Sequence, residues 1–203
     1  MKVIGIVGGI GAGKSTVVAL MNEIKPIHVI SADLIGHEIL RKGQRGYEPV
    51  IEAFGESILD EEGEIVRGLL GQMVFGNPER LKKLNAITHP LITEVIKERI
   101  INYKQTSPKQ HIVLEAALLI ESGLIQLTDV VIAVYAESVE RTKRVMKRDG
   151  IDEVQMMHRL KAQKEWTEMA SVADYVIDNS ISLESTKIQI EQILIALEEE
   201  EVK

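Results

Sequence analysis

With 203 residues, 45% of them hydrophobic and 27% charged, the chain has the composition of one globular domain with room for an insertion. Its net charge of −7 disfavours a general nucleic-acid or membrane-surface binder, and the absence of cysteine excludes disulfides and thiol chemistry. The five histidines lack metal-ligand spacing, no apolar run reaches transmembrane length, and a strand pattern begins at once, so we expect a cytoplasmic enzyme.

The N-terminal segment predicts a strand, a phosphate-binding loop and the start of a helix. Residues 3–7 are a short apolar, β-branched run, typical of a strand buried on both faces. Residues 8–15 fit the pattern G-x-x-x-x-G-K-[ST], whose glycines let backbone N–H groups surround a polyphosphate. In this pattern Lys14 brings its charge to the β- and γ-phosphates, and the Ser15 hydroxyl can ligate Mg²⁺. The predicted nucleotide-binding residues are Gly9, Gly11, Ala12, Gly13, Lys14, Ser15 and Thr16.

The rest of the chain alternates strand patterns with helical patterns. Further strands are predicted at residues 27–30, 111–114, 129–135 and 175–177. Residues 44–105 contain helical patterns and no convincing strand, with a break or kink expected at His89-Pro90. The alternation predicts an α/β fold with a five-stranded, parallel, doubly wound sheet flanked by helices. We interpret this helical stretch as an insertion that could close over a second substrate.

Asp33 follows the second predicted strand, at the edge where ligands bind in open α/β sheets. A carboxylate near the γ-phosphate can accept the proton of an attacking hydroxyl, which is the general-base role in phosphoryl transfer to an alcohol. The alternative is that Asp33 caps a helix beginning at Leu34. The two roles are compatible, and position alone leaves both open.

Glu115 ends the third predicted strand, beside the strand that delivers the phosphate loop. An acid at this place normally holds Mg²⁺ directly or through water. The alternative is an acid that caps the turn at residues 116–122. The sequence therefore makes Ser15 and Glu115 the candidate metal ligands, without excluding the capping role.

Arg141, Arg144 and Arg148 are spaced three and four apart in a predicted helix at residues 138–149, so they share one helix face. Arginines there could close over a triphosphate and neutralise charge that develops in the transition state. The alternative is a solvated basic face, which the spacing alone favours.

Taken together, the motifs resemble one family, the dephospho-CoA kinases, over almost the whole chain. The resemblance rests on the order and spacing of short motifs: residues 8–16, Ala32-Asp33, His37-Glu38, Phe54-Gly55, Val74-Phe75, residues 84–87 before His89-Pro90, Leu118-Leu119, Arg144 with Arg148-Asp149, Arg159 with Gln163, and residues 173–179. It implies a P-loop NTPase fold and an ATP- and Mg²⁺-dependent enzyme that phosphorylates the ribose 3′-hydroxyl of dephospho-CoA, giving CoA and ADP.

The resemblance also implies domain roles and residue roles. Residues 1–203 form a single P-loop kinase domain, with a helical CoA-binding insertion at 34–105 and a lid at 138–165. Asp33 binds and deprotonates the acceptor hydroxyl, and Asn179 lies where the family's last loop lines the adenine pocket. The residues implied to contact the acceptor are Asp33, His89 and Arg159, and those implied to act in catalysis are Asp33, Lys14, Arg144 and Arg148.

Three positions depart from the family pattern. Ser31-Ala32-Asp33 stands where the family usually has Asp-Ala-Asp, Glu115 stands where it usually has Asp, and Met169 occupies a commonly basic position. These departures bear on which carboxylate organises Mg²⁺ and on turnover. Two other functions stay open: another P-loop kinase for nucleosides or metabolites, and a module that senses ATP without transferring phosphate. The sequence leaves the oligomeric state undetermined.

Overall fold

A computed structural model of the protein describes residues 1–149 and 165–201. Five strands form one sheet in the order β2-β3-β1-β4-β5, in which β1 pairs in parallel with β3 and β4, and β4 pairs in parallel with β5. The predicted sheet is confirmed, with strand ends shifted by a residue at most. The strands are β1 (Val3–Val7), β2 (His28–Ser31), β3 (Ile112–Glu115), β4 (Val130–Tyr135) and β5 (Tyr175–Asp178).

Helices connect the strands and extend beyond the last one. The α-helices of the described residues are α1 (Lys14–Ile24), α2 (Ala32–Glu38), α3 (Tyr47–Phe54), α4 (Arg67–Val74), α5 (Pro78–Thr106), α6 (Ser138–Asp149), α7 (Trp166–Ser171) and α8 (Leu183–Glu201). Short 3₁₀ turns lie at Glu56–Ile58 and Leu124–Leu127. None of the helices in the described ranges is long and apolar enough to cross a membrane.

The chain separates into two compact units, which we call the sheet unit (residues 1–30 and 103–203) and the helical unit (residues 31–102). In the sheet unit, every residue of β1 is buried, because β-branched side chains fill both faces of a central parallel strand. Ile4 and Ile132 are fully buried in one cluster with Met21 of α1 and Leu197 of α8. This core fixes the point at which β1 delivers the phosphate loop.

The helical unit has a smaller core of its own. Val50 of α3, Ile58 and Leu70 of α4 are buried together, and Leu84 and Ile87 of α5 pack against them. The polar turn after Ile58 is closed by Asp60, whose Oδ1 accepts hydrogen bonds from the N–H groups of residues 62 and 64 at 3.0 and 2.8 Å.

Helix α5 corrects one prediction. A break or kink is predicted at His89-Pro90; the helix runs from Pro78 to Thr106 with Pro90 inside, so the break does not occur. A proline removes one hydrogen bond of the helix and costs about 3 kcal/mol. Packing offsets this cost, because Thr88 before the proline and Ile96 and Ile100 after it are buried. A local rule was overridden by tertiary contacts.

Candidate active site

The phosphate loop joins β1 to α1 in the sheet unit and needs glycine at its two turning points. Gly11 has φ 77° and Gly13, the N-cap of α1, has φ 92°, a left-handed backbone that costs other residues energy. Lys14 and Ser15 then open α1, with Ser15 exposed and Lys14 half-buried. The loop therefore presents the N-terminus of a helix, which carries a partial positive charge. The ammonium of Lys14 and the exposed hydroxyl of Ser15 lie beside it.

Three side chains donate hydrogen bonds to alternate carbonyl oxygens of this loop. The bonds run from Lys14 Nζ to the Gly8 oxygen (2.7 Å), from Arg141 Nε to the Ile10 oxygen (3.0 Å) and from Asn179 Nδ2 to the Ala12 oxygen (2.8 Å). The donors come from three separate places in the chain: α1, α6 and the residue after β5. The loop is thus held from its carbonyl side by the sheet unit itself.

Holding these carbonyls also directs the N–H groups of the loop. A trans peptide group is planar, so its carbonyl oxygen and the N–H that follows point in opposite directions. The three bonds therefore turn the N–H groups of Gly9, Gly11 and Gly13 away from the side chains that hold the carbonyls. Backbone N–H groups on one face of a loop are the donors that a polyphosphate requires.

Arg141 also explains why two loop positions carry no side chain. A Cβ atom on Gly9 would lie 2.2 Å from Arg141 Nη2, and one on Gly11 would lie 2.6 Å from the Arg141 carbonyl oxygen. At Gly11 the neighbour is the backbone of helix α6, so a larger residue would displace the helix, whereas at Gly9 the end of the flexible Arg141 side chain would have to move. The sequence pattern explains these glycines by phosphate binding alone, whereas the structure adds a packing reason.

The Arg141 guanidinium is only partly exposed, and burial lowers its pKa from the ordinary value. It still carries its charge at neutral pH. Among the side chains that the structure describes, no carboxylate forms an ion pair with it. Arg144 and Arg148 lie on α6, but their side chains are outside the described part of the protein, as is the whole of Arg159.

Asn179 follows β5 and is buried, with 5% of its surface exposed. Its backbone N–H donates to the Tyr135 oxygen at 2.8 Å, which places it at the ends of β4 and β5. Its side-chain oxygen accepts from Thr186 Oγ1 at 3.0 Å. Contact with adenine stays a prediction for this residue. The structure adds the hydrogen bond from its side chain to the Ala12 oxygen of the phosphate loop.

Glu115 ends β3 and lies in register with Ile6 of β1, two residues before the loop begins. Its side chain makes no hydrogen bond to residues 116–122, so the capping alternative has no support in this part of the structure. Glu115 and Ser15 both offer oxygen, the ligand atom of Mg²⁺, which usually keeps several waters and binds substrate phosphates. The donor chemistry fits such a site, and the described residues contain no group of three His, Cys, Asp or Glu side chains suited to a metal.

Met169 of α7, at the position where the family commonly has a basic residue, is buried. It is 7% exposed and lines a small pocket with Gly8, Ala116, Leu119 and Glu121. An apolar side chain suits a position that is closed off from water, because a buried cation would need a partner. The residue shapes the pocket beside the start of the phosphate loop.

In the helical unit, Asp33 does not cap α2. The helix begins at Ala32, and its N-cap is Ser31, whose Oγ accepts from the Leu34 N–H at 3.4 Å. The alternative that Asp33 is the cap is therefore wrong. Asp33 lies exposed in the first turn, and its carboxylate forms no hydrogen bond or ion pair within residues 31–102. Its side chain is thus available to a ligand.

His89 lies on α5 with its side chain exposed, and its carbonyl oxygen accepts from Thr93 Oγ1 at 2.8 Å. The structure shows no further interaction that would identify a role for the ring, so its contact with an acceptor stays a prediction. The residues that sequence reasoning missed are Ser31 as the cap of α2 and Thr186 as the partner of Asn179.

Comparisons with known proteins agree with this architecture. A family model described as dephospho-CoA kinase matches residues 2–185. The dephospho-CoA kinase of Carboxydothermus hydrogenoformans is 42% identical over 194 residues, which cover 96% of this chain and 93% of that protein. The crystal structure of TT1252 from Thermus thermophilus has a TM-score of 0.81 at 29% identity, covering 96% of each chain. Dephospho-CoA kinase from Campylobacter jejuni has a TM-score of 0.72 at 29% identity, with 96% of each chain covered.

These matches extend over both units and include the phosphate loop. They confirm the P-loop fold and a kinase that uses ATP. They do not support the alternative that the protein belongs to a family of nucleoside kinases. Because the family model and a relative with 42% identity each span most of the sequence, the chain belongs to the dephospho-CoA kinase family.

Proposed function

We propose that this protein transfers the γ-phosphoryl group of ATP to the ribose 3′-hydroxyl of dephospho-CoA, giving CoA and ADP. The binding of ATP, the phosphoryl donor, is supported by the phosphate loop, whose carbonyl oxygens at residues 8, 10 and 12 accept hydrogen bonds from Lys14, Arg141 and Asn179. The choice of dephospho-CoA as the acceptor is supported by family membership, since relatives that match most of the chain are named dephospho-CoA kinase.

The donor binds with its phosphates on the N–H groups of the loop and at the N-terminus of α1. Lys14, whose ammonium donates to the Gly8 oxygen at 2.7 Å, brings its charge to the β- and γ-phosphates. Thr16 lies in the same first turn, and Asn179 borders the adenine. This arrangement places a localised positive charge where negative charge gathers during transfer.

The acceptor is activated by Asp33. Its carboxylate accepts the proton of the 3′-hydroxyl while the hydroxyl oxygen forms a bond to the γ-phosphorus. The bond from that phosphorus to the oxygen bridging the β- and γ-phosphates breaks, and ADP leaves with the bonding electrons. His89 and Arg159 are proposed to contact the remainder of the acceptor.

The charge of the transferring group is balanced by cations from two sources. Arg144 and Arg148 are proposed to act from α6, the helix that Arg141 fastens to the loop. Mg²⁺, held by Ser15 and by Glu115 directly or through water, would neutralise the β- and γ-phosphates. Oxygen donors on a hydroxyl and a carboxylate suit this ion.

A coupled assay of ADP release tests the proposal. The protein is given ATP with dephospho-CoA, and separately with a panel of nucleosides and small metabolite alcohols at the same concentration. We expect ADP release with dephospho-CoA to exceed that with every other acceptor. A faster rate with a nucleoside would assign a different kinase activity, and binding of ATP without transfer to any acceptor would assign an ATP sensor.

A further inference from the structure

Thr186, in the first turns of α8, lies behind the phosphate loop and is 0% exposed. Its Oγ1 lies 3.0 Å from Asn179 Oδ1 and 3.0 Å from the Ser182 carbonyl oxygen. Asn179 in turn donates from Nδ2 to the Ala12 oxygen at 2.8 Å. A buried chain of polar groups therefore runs from α8 through Asn179 into the loop.

The chemistry of this chain fixes the orientation of the Asn179 amide. The Ala12 carbonyl can only accept a hydrogen bond, so the NH₂ group of Asn179 must face it. The amide oxygen then faces Thr186, which is the group able to donate to it. Without the Thr186 hydroxyl, the amide oxygen would lose the 3.0 Å hydrogen bond that helps to hold the side chain against the loop.

The orientation matters because the Ala12 carbonyl belongs to the peptide group that ends the loop. Its partner N–H is that of Gly13, which also serves as the N-cap of α1 and accepts from the Val17 N–H at 3.0 Å. If the side chain of Asn179 moved, the Ala12 oxygen would lose this donor, and the peptide group would be free to turn. The Gly13 N–H would then leave the phosphate side.

We infer that Thr186 and Asn179 are positioning residues for the nucleotide, and that Thr186 acts through Asn179 without touching ATP. The pair holds the peptide group of residues 12 and 13 so that the Gly13 N–H points to the phosphates. The inference rests on the proposed function as far as the nucleotide is concerned, and it is independent of the acceptor. Both residues are buried, so a lost hydrogen bond there is not replaced by water.

The test compares Thr186→Val, which keeps the shape and removes the hydroxyl, with Thr186→Ser, which keeps the hydroxyl. The dissociation constant of ADP alone is measured by calorimetry, and KM for ATP and for dephospho-CoA is measured in the assay of ADP release. Loss of one buried hydrogen bond predicts ADP binding weaker by roughly fivefold to tenfold in Thr186→Val, with KM for ATP raised to match. Thr186→Ser is expected to bind ADP like the unchanged protein, and KM for dephospho-CoA is expected to stay the same in both variants.

Thr88→Val is the matched control. Thr88 is also buried in a helix, and its Oγ1 donates to the Leu84 oxygen one turn back at 3.0 Å, the same kind of bond that Thr186 can make to Ser182. It belongs to the helical unit and has no asparagine partner in the hydrogen bonds of the described residues. We expect Thr88→Val to lower the thermal midpoint and to leave ADP affinity unchanged.

Three results would overturn the inference. These are ADP affinity unchanged in Thr186→Val, equal losses in Thr186→Val and Thr186→Ser, and equal losses in Thr186→Val and Thr88→Val. A merely structural role would change the thermal midpoint of Thr186→Val without changing ADP affinity at a temperature where the protein is folded. A failure of the proposed acceptor would appear in the unchanged protein as missing transfer to dephospho-CoA, whereas the ADP measurement would be unaffected.

Discussion

The sheet unit and the helical unit hold their predicted functional side chains in opposite ways. In the sheet unit, Lys14, Arg141 and Asn179 each donate a hydrogen bond to the phosphate loop. In the helical unit, Asp33 and His89 are exposed, and the Asp33 carboxylate has no partner within that unit. The difference predicts that substitution of the residues that hold the phosphate loop in the sheet unit changes nucleotide binding, while substitution of Asp33 in the helical unit changes turnover alone.

The largest expected effect is that of Asp33→Asn. This variant keeps the shape of the side chain but cannot accept the proton of the acceptor hydroxyl, so kcat should fall by about 10²–10⁴-fold. The dissociation constant of ADP should not change, because the phosphate loop is untouched. Steady-state kinetics and calorimetry with ADP measure the two quantities.

Glu48→Gln is the control for Asp33→Asn, since Glu48 is also an exposed acid in the first turn of a helix of the same unit. We expect its kcat to equal that of the unchanged protein. A kcat near normal in Asp33→Asn would remove Asp33 as the base, and a loss of ADP binding would break the proposed division between the two units.

Lys14→Ala is expected to affect both binding and turnover. It removes the ammonium that we propose contacts the β- and γ-phosphates and also the bond that holds the Gly8 oxygen. Removal of one charged group that stabilises a transition state predicts a fall in kcat by about 10²–10³-fold, accompanied by weaker ATP binding. Lys109→Ala, which removes an exposed lysine elsewhere in the sheet unit, is the control. Unchanged ATP affinity and rate together in Lys14→Ala would contradict the role of the loop.

Arg141→Ala tests the contact between α6 and the loop. It removes a charged donor to the Ile10 oxygen, an interaction that typically contributes about 1.5–3 kcal/mol. ADP binding should therefore weaken by about tenfold or more. Arg41→Ala, an exposed arginine of the helical unit, should bind ADP normally. If the two variants bound ADP equally well, the Ile10 bond would be irrelevant to the nucleotide site.

The sheet unit was predictable from sequence because its signals are local. A β-branched strand followed by the phosphate-loop pattern specifies both the element and the chemistry within residues 3–16. The alternation of strands and helices then specifies a parallel sheet. What the sequence could not supply is the set of contacts on the carbonyl side of the loop. Asn179 and Ala12 are 167 residues apart, and only the folded sheet brings them together.

The helical unit was less predictable because its outcomes depend on packing. Pro90 predicted a break in α5, yet buried residues on both sides keep the helix continuous. At the start of α2, two polar residues separated by Ala32 compete for the cap, and Ser31 takes it instead of Asp33. A hydroxyl three residues before Leu34 was a sequence signal for this outcome, since serine is favoured at N-caps as much as aspartate.

The smallest expected effect concerns Ser31, which ends β2 and is also the first residue of the helical unit. Ser31→Ala removes the side-chain cap of α2, whose bond to the Leu34 N–H is long at 3.4 Å. We expect the free energy of unfolding to fall by about 0.5–1 kcal/mol, measured by urea denaturation.

Ser31→Asp separates capping from catalysis. An aspartate can cap α2 as well as serine does, so stability should be retained, and the variant restores the carboxylate that the family usually has at this position. If Ser31 serves only as a cap, kcat stays within about twofold of normal in both variants, because Asp33 keeps its place in the first turn. A loss of kcat in Ser31→Ala without a loss of stability would make Ser31 part of the site. A large gain in Ser31→Asp would show that the lack of a second carboxylate near Asp33 limits turnover in this chain.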